Sequence, residues 1–264
     1  MIGIIIIGDE ILSGRRPDQH LKKAIELLSE RGMALSWVRY VGDDPDRITA
    51  DLRYAVDSGD VVFSFGGIGA TPDDHTRACA ARAMGLDLTL HPQAREHILA
   101  RCLEMAEQAG EPFDEASADT LRRLQMGFFP VGAEIIPNPY NRIPGFSLLG
   151  RVHFVPGFPV MAWPMMAWAL DERHADLHGQ GRLLEKSVVV YGALESVLTP
   201  LMLDIEACYA PIKVFSLPCV SHPVHGSHIE LGVKGEGAAL ESAFTCLHDG
   251  LIKLGASLGP ISVR

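Results

Sequence analysis

Residues Ile2–Ile7 read Ile-Gly-Ile-Ile-Ile-Ile, an almost unbroken β-branched run. A strand of that composition has to be covered on both faces, which places it at the centre of a sheet between helix layers. Residues 19–31 follow with Leu21, Ala24, Ile25 and Leu28 at helical spacing and Gly32 as the stop. Residues 35–41 alternate as a second strand. Pro45 opens a second helix with Ile48, Leu52, Ala55 and Val56 on its apolar face, and Val61–Phe65 is a third strand. The order β-α-β-α-β with short links implies right-handed crossovers. The expected fold class is α/β, a three-layer, doubly wound, mostly parallel sheet.

The third strand breaks into Gly66-Gly67-Ile68-Gly69-Ala70-Thr71-Pro72-Asp73-Asp74-His75-Thr76, and a helix is predicted over 73–84. Glycines let a backbone approach a ligand closely, and the N–H groups of a helix start attract anions. Asp73 and Asp74 would repel a bare phosphate there. A divalent cation between the carboxylates and a phosphorylated ligand reconciles the two features. Ligands of open parallel sheets bind at the carboxyl ends of the strands. Here those ends are Gly8-Asp9-Glu10, Gly42-Asp43-Asp44 and the glycine loop. Asp43 and Asp44 precede Pro45 and read as helix caps, whereas Asp9, Glu10, Asp73 and Asp74 read as functional. The loop is neither a Walker A motif nor a dinucleotide fingerprint.

Net charge is −10, so nucleic acid is not an expected partner. The five cysteines are scattered singly, which predicts reduced thiols and a cytoplasmic protein. No basic, cleavable leader is expected at the start. The longest apolar stretch, 152–170, contains His153, Pro156, Pro159 and Pro164. It reads as core or subunit interface rather than a membrane span, with Trp163, Met165, Met166 and Trp168 in one patch, and a homo-oligomer is expected. Helices are predicted over 92–109, 116–125 and 161–171, short strands within 127–158, and a linker over 178–182. The tail reads strand 187–191, helix 194–208, strands 212–217 and 228–233, and helix 238–254, a small α+β domain. The expected domains are 1–180 and 183–264. His222, His225 and His228 have the look of a metal cluster, but Pro223 and Gly226 interrupt it, and a solvated loop is expected.

Gly8-Asp9-Glu10-Ile11-Leu12-Ser13-Gly14, Val41-Gly42-Asp43-Asp44 and the loop from Gly66 to Thr76 resemble the molybdopterin-binding (MoCF) fold family. The resemblance is to the branch of the N-terminal domain of competence/damage-inducible protein A (CinA), to which a domain of eukaryotic FAD synthases is also similar. It continues through Asn138-Pro139, Ile143-Pro144-Gly145-Phe146 and Val155-Pro156-Gly157-Phe158-Pro159. In the small domain, Gly192-Ala193-Leu194-Glu195-Ser196 is similar to the branch's G-x-x-E-S, which implies a KH-like unit with Glu195 and Ser196 at a helix start. Two positions depart from the family pattern: Ala70 replaces a proline, and Met161 a glutamate.

The resemblance implies hydrolysis of a nucleotide-sugar pyrophosphate such as ADP-ribose, with Mg, Mn, Co or Ni. Asp73 and Asp74 would be catalytic, and Asp9, Glu10 and Asp74 would hold the metal. Gly66, Gly67, Gly69, Thr71, Thr76, Asn138 and Arg142 would bind the phosphorylated ligand, with Arg77 a further candidate and His75 facing solvent. The alternative is non-catalytic binding of molybdopterin or a nucleotide, which Ala70 and Met161 suggest, or a role in molybdenum-cofactor assembly. The expected partner is a small phosphorylated nucleotide or pterin, with no nucleic acid and no membrane. CinA relatives often carry a further deamidase domain, an activity not expected of these residues. Asp74→Asn is expected to leave the glycine cradle intact.

Overall fold

A computed structural model describes residues 1–180, 184–224, 226–235 and 237–263. The chain divides into two compact units, Met1–Gly181 and Arg182–Arg264.

In chain order the first unit begins with β1 (Ile2–Ile7), α1 (Asp9–Leu12), α2 (His20–Glu30), β2 (Trp37–Val41), α3 (Pro45–Ser58), β3 (Val61–Phe65) and α4 (Thr76–Met84). It continues with β4 (Leu88–Leu90), α5 (Pro92–Ala109), α6 (Ala118–Leu124), β5 (Phe128–Pro130), β6 (Glu134–Ile136), β7 (Gly145–Leu148), β8 (Val152–Val155) and α7 (Pro159–Arg173). The main sheet runs β2-β1-β3-β8-β7-β6. The first four strands are parallel, and β7 and β6 complete the sheet antiparallel. The fold is thus the doubly wound, mostly parallel one.

The composition of β1 follows from its position. Ile5 and Ile7 pack against Ile48 and Leu52 of α3, Cys79 of α4 and Ala94 of α5. Ile2, Ile4 and Ile6 pack on the opposite face against Leu28 of α2 and Met165 and Ala169 of α7. Burying one such isoleucine is worth roughly 1.5–3 kcal/mol, so neither face can be polar. Within the apolar patch of α7, Met165 and Met166 are fully buried, and Trp163 and Trp168 are half-buried beside them.

Several elements differ from the sequence expectation. The α4 helix starts at Thr76 rather than at 73, because Asp73 and Asp74 belong to the turn that closes the glycine loop. A two-stranded ribbon, β4 with β5, lies outside the main sheet. Another is an extra strand, β12 (Ser257–Val263), in the second unit. Gly259 and Pro260 interrupt its pattern, and its pairing shifts register between Leu258 and Ile261, as strand edges allow.

The second unit contains β9 (Leu184–Tyr191), α8 (Glu195–Cys208), β10 (Lys213–His222), β11 (Gly226–Gly235), α9 (Gly237–Lys253) and β12. Its sheet order is β10-β11-β9-β12, antiparallel throughout. Val188, Val190, Leu231 and Val233 bury one sheet face against Leu198, Ile205, Leu240 and Leu247 of the two helices. Glu195 opens α8 and accepts a hydrogen bond from Ser216 Oγ. The hairpin is longer than expected, so His222 and His228 are strand residues rather than loop residues; His225 lies outside the described residues. Of the expected linker, Gly179 N donates to Arg31 O at 2.9 Å, while 181–183 lie outside the described residues. Among the described residues, no helix is long and apolar enough to cross a membrane.

Candidate functional site

The sheet delivers four strand ends to one edge. Gly8 N donates to Val41 O and Gly66 N to Val155 O, both at 3.0 Å, so the turns after β1, β2, β3 and β8 meet. At Gly66 and Gly67 the backbone takes φ of 99° and 69°, a region that side chains resist. A Cβ on Gly67 would stand 2.1 Å from Thr76 Oγ1.

Three side chains hold the loop from within. Fully buried Thr76 donates from Oγ1 to Gly66 O at 3.0 Å and from its amide to Gly67 O at 2.9 Å. Asp74 Oδ1 accepts from Gly69 N at 2.8 Å, and Oδ2 accepts from Thr71 N at 2.8 Å and Thr71 Oγ1 at 2.5 Å. Arg77 Nη1 donates to the carbonyls of Ile68 and, at 2.7 Å, Gly69. Burial lowers the pKa of Arg77, and the Asp74 charge opposes that shift. Loop carbonyls are thereby turned inward. Among the described residues, the amides of Gly67, Ile68 and Ala70 have no protein acceptor. Gly67→Ala should cost about 1–3 kcal/mol of stability, read by urea denaturation, through strain and displacement of Thr76. An unchanged midpoint would contradict this packing.

Beside the loop lies a cavity of about 810 Å³. Its walls are the loop, the Pro156-Gly157-Phe158 turn, Asn138 to Pro144 in part, one side of α6, and Glu10 with Arg16. Arg16, Arg122 and Arg123 line it, along with Glu10, Asp73, Asp74 and Asp119. Asp119 accepts from Arg123 Nε at 2.8 Å and lies 3.5 Å from Arg122 Nη2; these partners, Arg123 first, hold its carboxyl below the usual range. Among the described residues Arg16 has no carboxylate partner. Met126, Ile143, Phe158 and Met161 supply apolar wall.

Of the residues expected from sequence, Glu10, Gly67, Gly69, Thr71, Asp73, Asp74 and Asn138 line this cavity. Gly66 and Thr76 lie beneath it as framework. Asn138 is largely structural, its Nδ2 donating to Asn141 Oδ1 at 2.8 Å and Ile143 O at 2.9 Å. Arg142 is not on the wall: its Nη2 lies 2.8 Å from Glu104 Oε1 of α5, and the neighbouring Asn141 faces the cavity instead.

The expected metal ligands also separate. Asp9 is engaged with the second strand end, its Oδ1 accepting from Asp43 N at 3.1 Å while Asp43 Oδ2 accepts from Asp9 N at 3.0 Å. Asp74 already accepts three hydrogen bonds. Among the described residues, no three His, Cys, Asp or Glu side chains are grouped to hold a metal ion. Burial, and then the charges of Asp9, Glu10 and Asp73, push the Asp43 carboxyl up, against its bond to the Asp9 amide. Asp44 caps α3, as expected, through the amides of Asp46 and Arg47, both at 2.9 Å. The bonding of Asp74 also revises the expected behaviour of Asp74→Asn: an amide can accept from one loop N–H, but its own NH₂ would face the other.

Sequence reasoning missed Arg16, Arg122 and Arg123, because only the tertiary fold brings α6 and the segment after α1 to the glycine loop.

Residues 3–175 match the family model described as "Probable molybdopterin binding domain". The chain belongs to this molybdopterin-binding family. A CinA-like protein of Mycobacterium tuberculosis (strain ATCC 25177 / H37Ra) is 28% identical over 246 residues, 90% of this chain and 56% of that protein. A protein of Caldivirga maquilingensis is 30% identical over 247 residues, 90% of this chain and 89% of its own length. The chain therefore spans little more than half the length of the mycobacterial relative. The crystal structure of CinA from Thermoplasma acidophilum, a protein of unknown function, is similar with a TM-score of 0.54 at 27% identity, covering 65% of this chain and 96% of that one. Against the pattern of the MoCF family, Ala70 adds an amide N–H to the loop where a proline has none. At the other departure, Met161 Sδ accepts from Asn141 Nδ2 at 3.3 Å.

Proposed function

We propose that the first unit binds a small phosphate-bearing ligand of pterin or nucleotide type, and that binding does not depend on a divalent cation. The observation that carries this reading is the set of loop amides, Gly67, Ile68 and Ala70, left without protein acceptors at the cavity. Backbone donors held in a fixed arrangement suit a phosphate and need no reorganisation on binding. Arg16, Arg122 and Arg123 add cationic donors matched to phosphate oxygens.

Membership of the family makes a molybdopterin-type ligand the first to consider, and the residues fit such a group. Gly67 and Gly69 line the cavity, and a Cβ on either would meet Thr76 Oγ1 at 2.1 Å or Asp74 Oδ2 at 2.5 Å, so the loop keeps this shape only with glycine there. The exocyclic amine and ring N–H of a pterin pair with a carboxylate through charge-assisted bonds, which Glu10 or Asp73 can supply. Phe158 and Met161 offer apolar surface to its ring. A role in molybdenum-cofactor assembly extends this reading.

Hydrolysis of a nucleotide-sugar pyrophosphate is the second reading, favoured by one observation. After burial, the charges of Asp9, Glu10 and Asp73 push the Asp43 carboxyl up, a repulsion of a kind that Mg, Mn, Co or Ni would relieve. The two readings separate in one titration of ADP-ribose and a pterin phosphate, with EDTA and then with each metal, while following AMP release. The expected result is saturable binding in EDTA without AMP. Metal-dependent AMP release, abolished in Asp73→Asn, would favour the hydrolase. No binding without metal would sink the first reading.

A further inference from the structure

His20 joins two parts of the cavity, and nothing in the sequence marks it. The first residue of α2, it is 5% exposed, with its ring stacked on Phe65 at 4.7 Å between centroids. Its Nε2 lies 3.0 Å from Gly157 O. A carbonyl only accepts, so Nε2 carries the proton. Nδ1 is buried without a partner, and a proton there would leave a buried, unused donor on a charged ring. Burial accordingly lowers the pKa, against the Gly157 bond and the Asp18 charge. The ring is neutral, in one tautomer.

Both contacts are parts of the site. Phe65 is the residue before the glycine loop, and Gly157 lies in the turn beside the loop on the cavity wall. The two turns touch: a Cβ on Gly157 would stand 3.4 Å from Gly66 Cα. The base of the imidazole is fixed in turn, since Asp18 accepts from the amides of His20 at 2.7 Å and Leu21 at 3.2 Å and from Tyr40 Oη at 2.8 Å.

We propose that His20 is a positioning residue, whose Nε2–H bond to the Gly157 carbonyl sets how the glycine loop sits against the adjoining Pro156-Gly157-Phe158 turn. Its consequence for ligand affinity rests on the phosphate-binding reading above; its consequence for the loop does not.

Two substitutions separate this role from simple packing. His20→Phe keeps an aromatic ring on Phe65 and removes the donor. His20→Gln gives up the stack and retains an N–H at similar reach. Packing alone ranks Phe above Gln, whereas positioning ranks Gln above Phe. Hydrogen exchange of the bonded loop amides, those of Gly66 and Gly69, is measured in the unliganded protein, and dissociation constants are measured for ADP-ribose and inorganic pyrophosphate in EDTA. In His20→Phe, loop exchange should quicken and affinity should fall, each by about tenfold, the scale of one lost hydrogen bond. In His20→Gln both should stay within about threefold of wild type. Should His20→Phe not fold, donor-free His20→Met takes its place. Wild-type exchange in the donor-free variant, or faster exchange in His20→Gln than in it, overturns the proposal. If wild type binds neither probe, the phosphate-binding reading fails, and the exchange ranking alone decides the role of His20.

Discussion

Asp74→Ala is expected to loosen the glycine loop and to weaken phosphate-bearing ligands by about 100-fold or more, because several charge-assisted hydrogen bonds vanish together. The carboxylate accepts from two loop amides and one hydroxyl, and alanine leaves both amides without that acceptor. Partial exposure of the site lets water replace some of this, so the stability cost should be about 2 kcal/mol rather than the full sum. Asp74→Asn should fall between, keeping one acceptor and opposing the other amide with its own NH₂. Urea denaturation alongside ADP-ribose binding in EDTA reads both effects. If Asp74 served instead as a metal ligand, Asp74→Asn would leave stability and metal-free binding unchanged, and only metal-supported activity would fall.

Acid should destabilise the first unit well above the range where carboxylates titrate. His153 Nε2 lies 2.6 Å from His174 Nε2, and Ser147 Oγ is 2.7 Å from His153 Nδ1, with all three residues buried. Two facing Nε2 atoms share a single proton, so the pair cannot stand with both rings charged, and burial disfavours even one charge there. Burial, followed by the His174 and Arg173 charges, pushes His153 from 6.5 down to about 3. Burial lowers His174 as well, with Asp176 opposing.

Unfolded, His153 therefore takes up a proton below about pH 6.5, and folded it does not until near pH 3. Stability is fully present above pH 6.5 and declines as pH falls, by about 1.4 kcal/mol per unit for His153. Between pH 7.5 and 5, His153 alone should remove about 2 kcal/mol, and His174 acts in the same direction. Urea denaturation at the two pH values measures this, and His153→Gln/His174→Gln should be less sensitive to acid. Equal stability of the wild type at both values would contradict a neutral buried pair.

The fold was legible where each residue's partners are implied by its own pattern. The run Ile2–Ile7 can only be a doubly covered strand, and the glycines after Val61–Phe65 mark a close backbone turn whatever surrounds them. The short strand β4 and the interrupted β12 lack such a pattern and are formed by their partners. At the site, the sequence showed which residue types gather near the loop but not which way they point. Asp73 and Asp74 are equivalent in sequence, yet Asp74 turns onto the loop amides, whereas Asp73 remains exposed at the cavity. Asp9 turns to the second strand end, Arg142 pairs with Glu104, and the guanidinium groups at the cavity come from residues far along the chain. Asp9 and Arg142 are oriented by partners tens of residues away, and Asp74 by a loop whose path only the fold fixes, none of which spacing or periodicity encodes.

The central claim is that Gly67, Ile68 and Ala70 present their amides to a phosphate without help from a metal. Backbone amide NMR of the full chain, titrated with ADP-ribose, a pterin phosphate or pyrophosphate in EDTA, tests it most directly. The account predicts saturable shifts centred on those three amides, with the Arg16, Arg122 and Arg123 side-chain signals moving at the same ligand concentration. Saturable binding with the three loop amides unmoved, or shifts there only after a divalent cation is added, would contradict it.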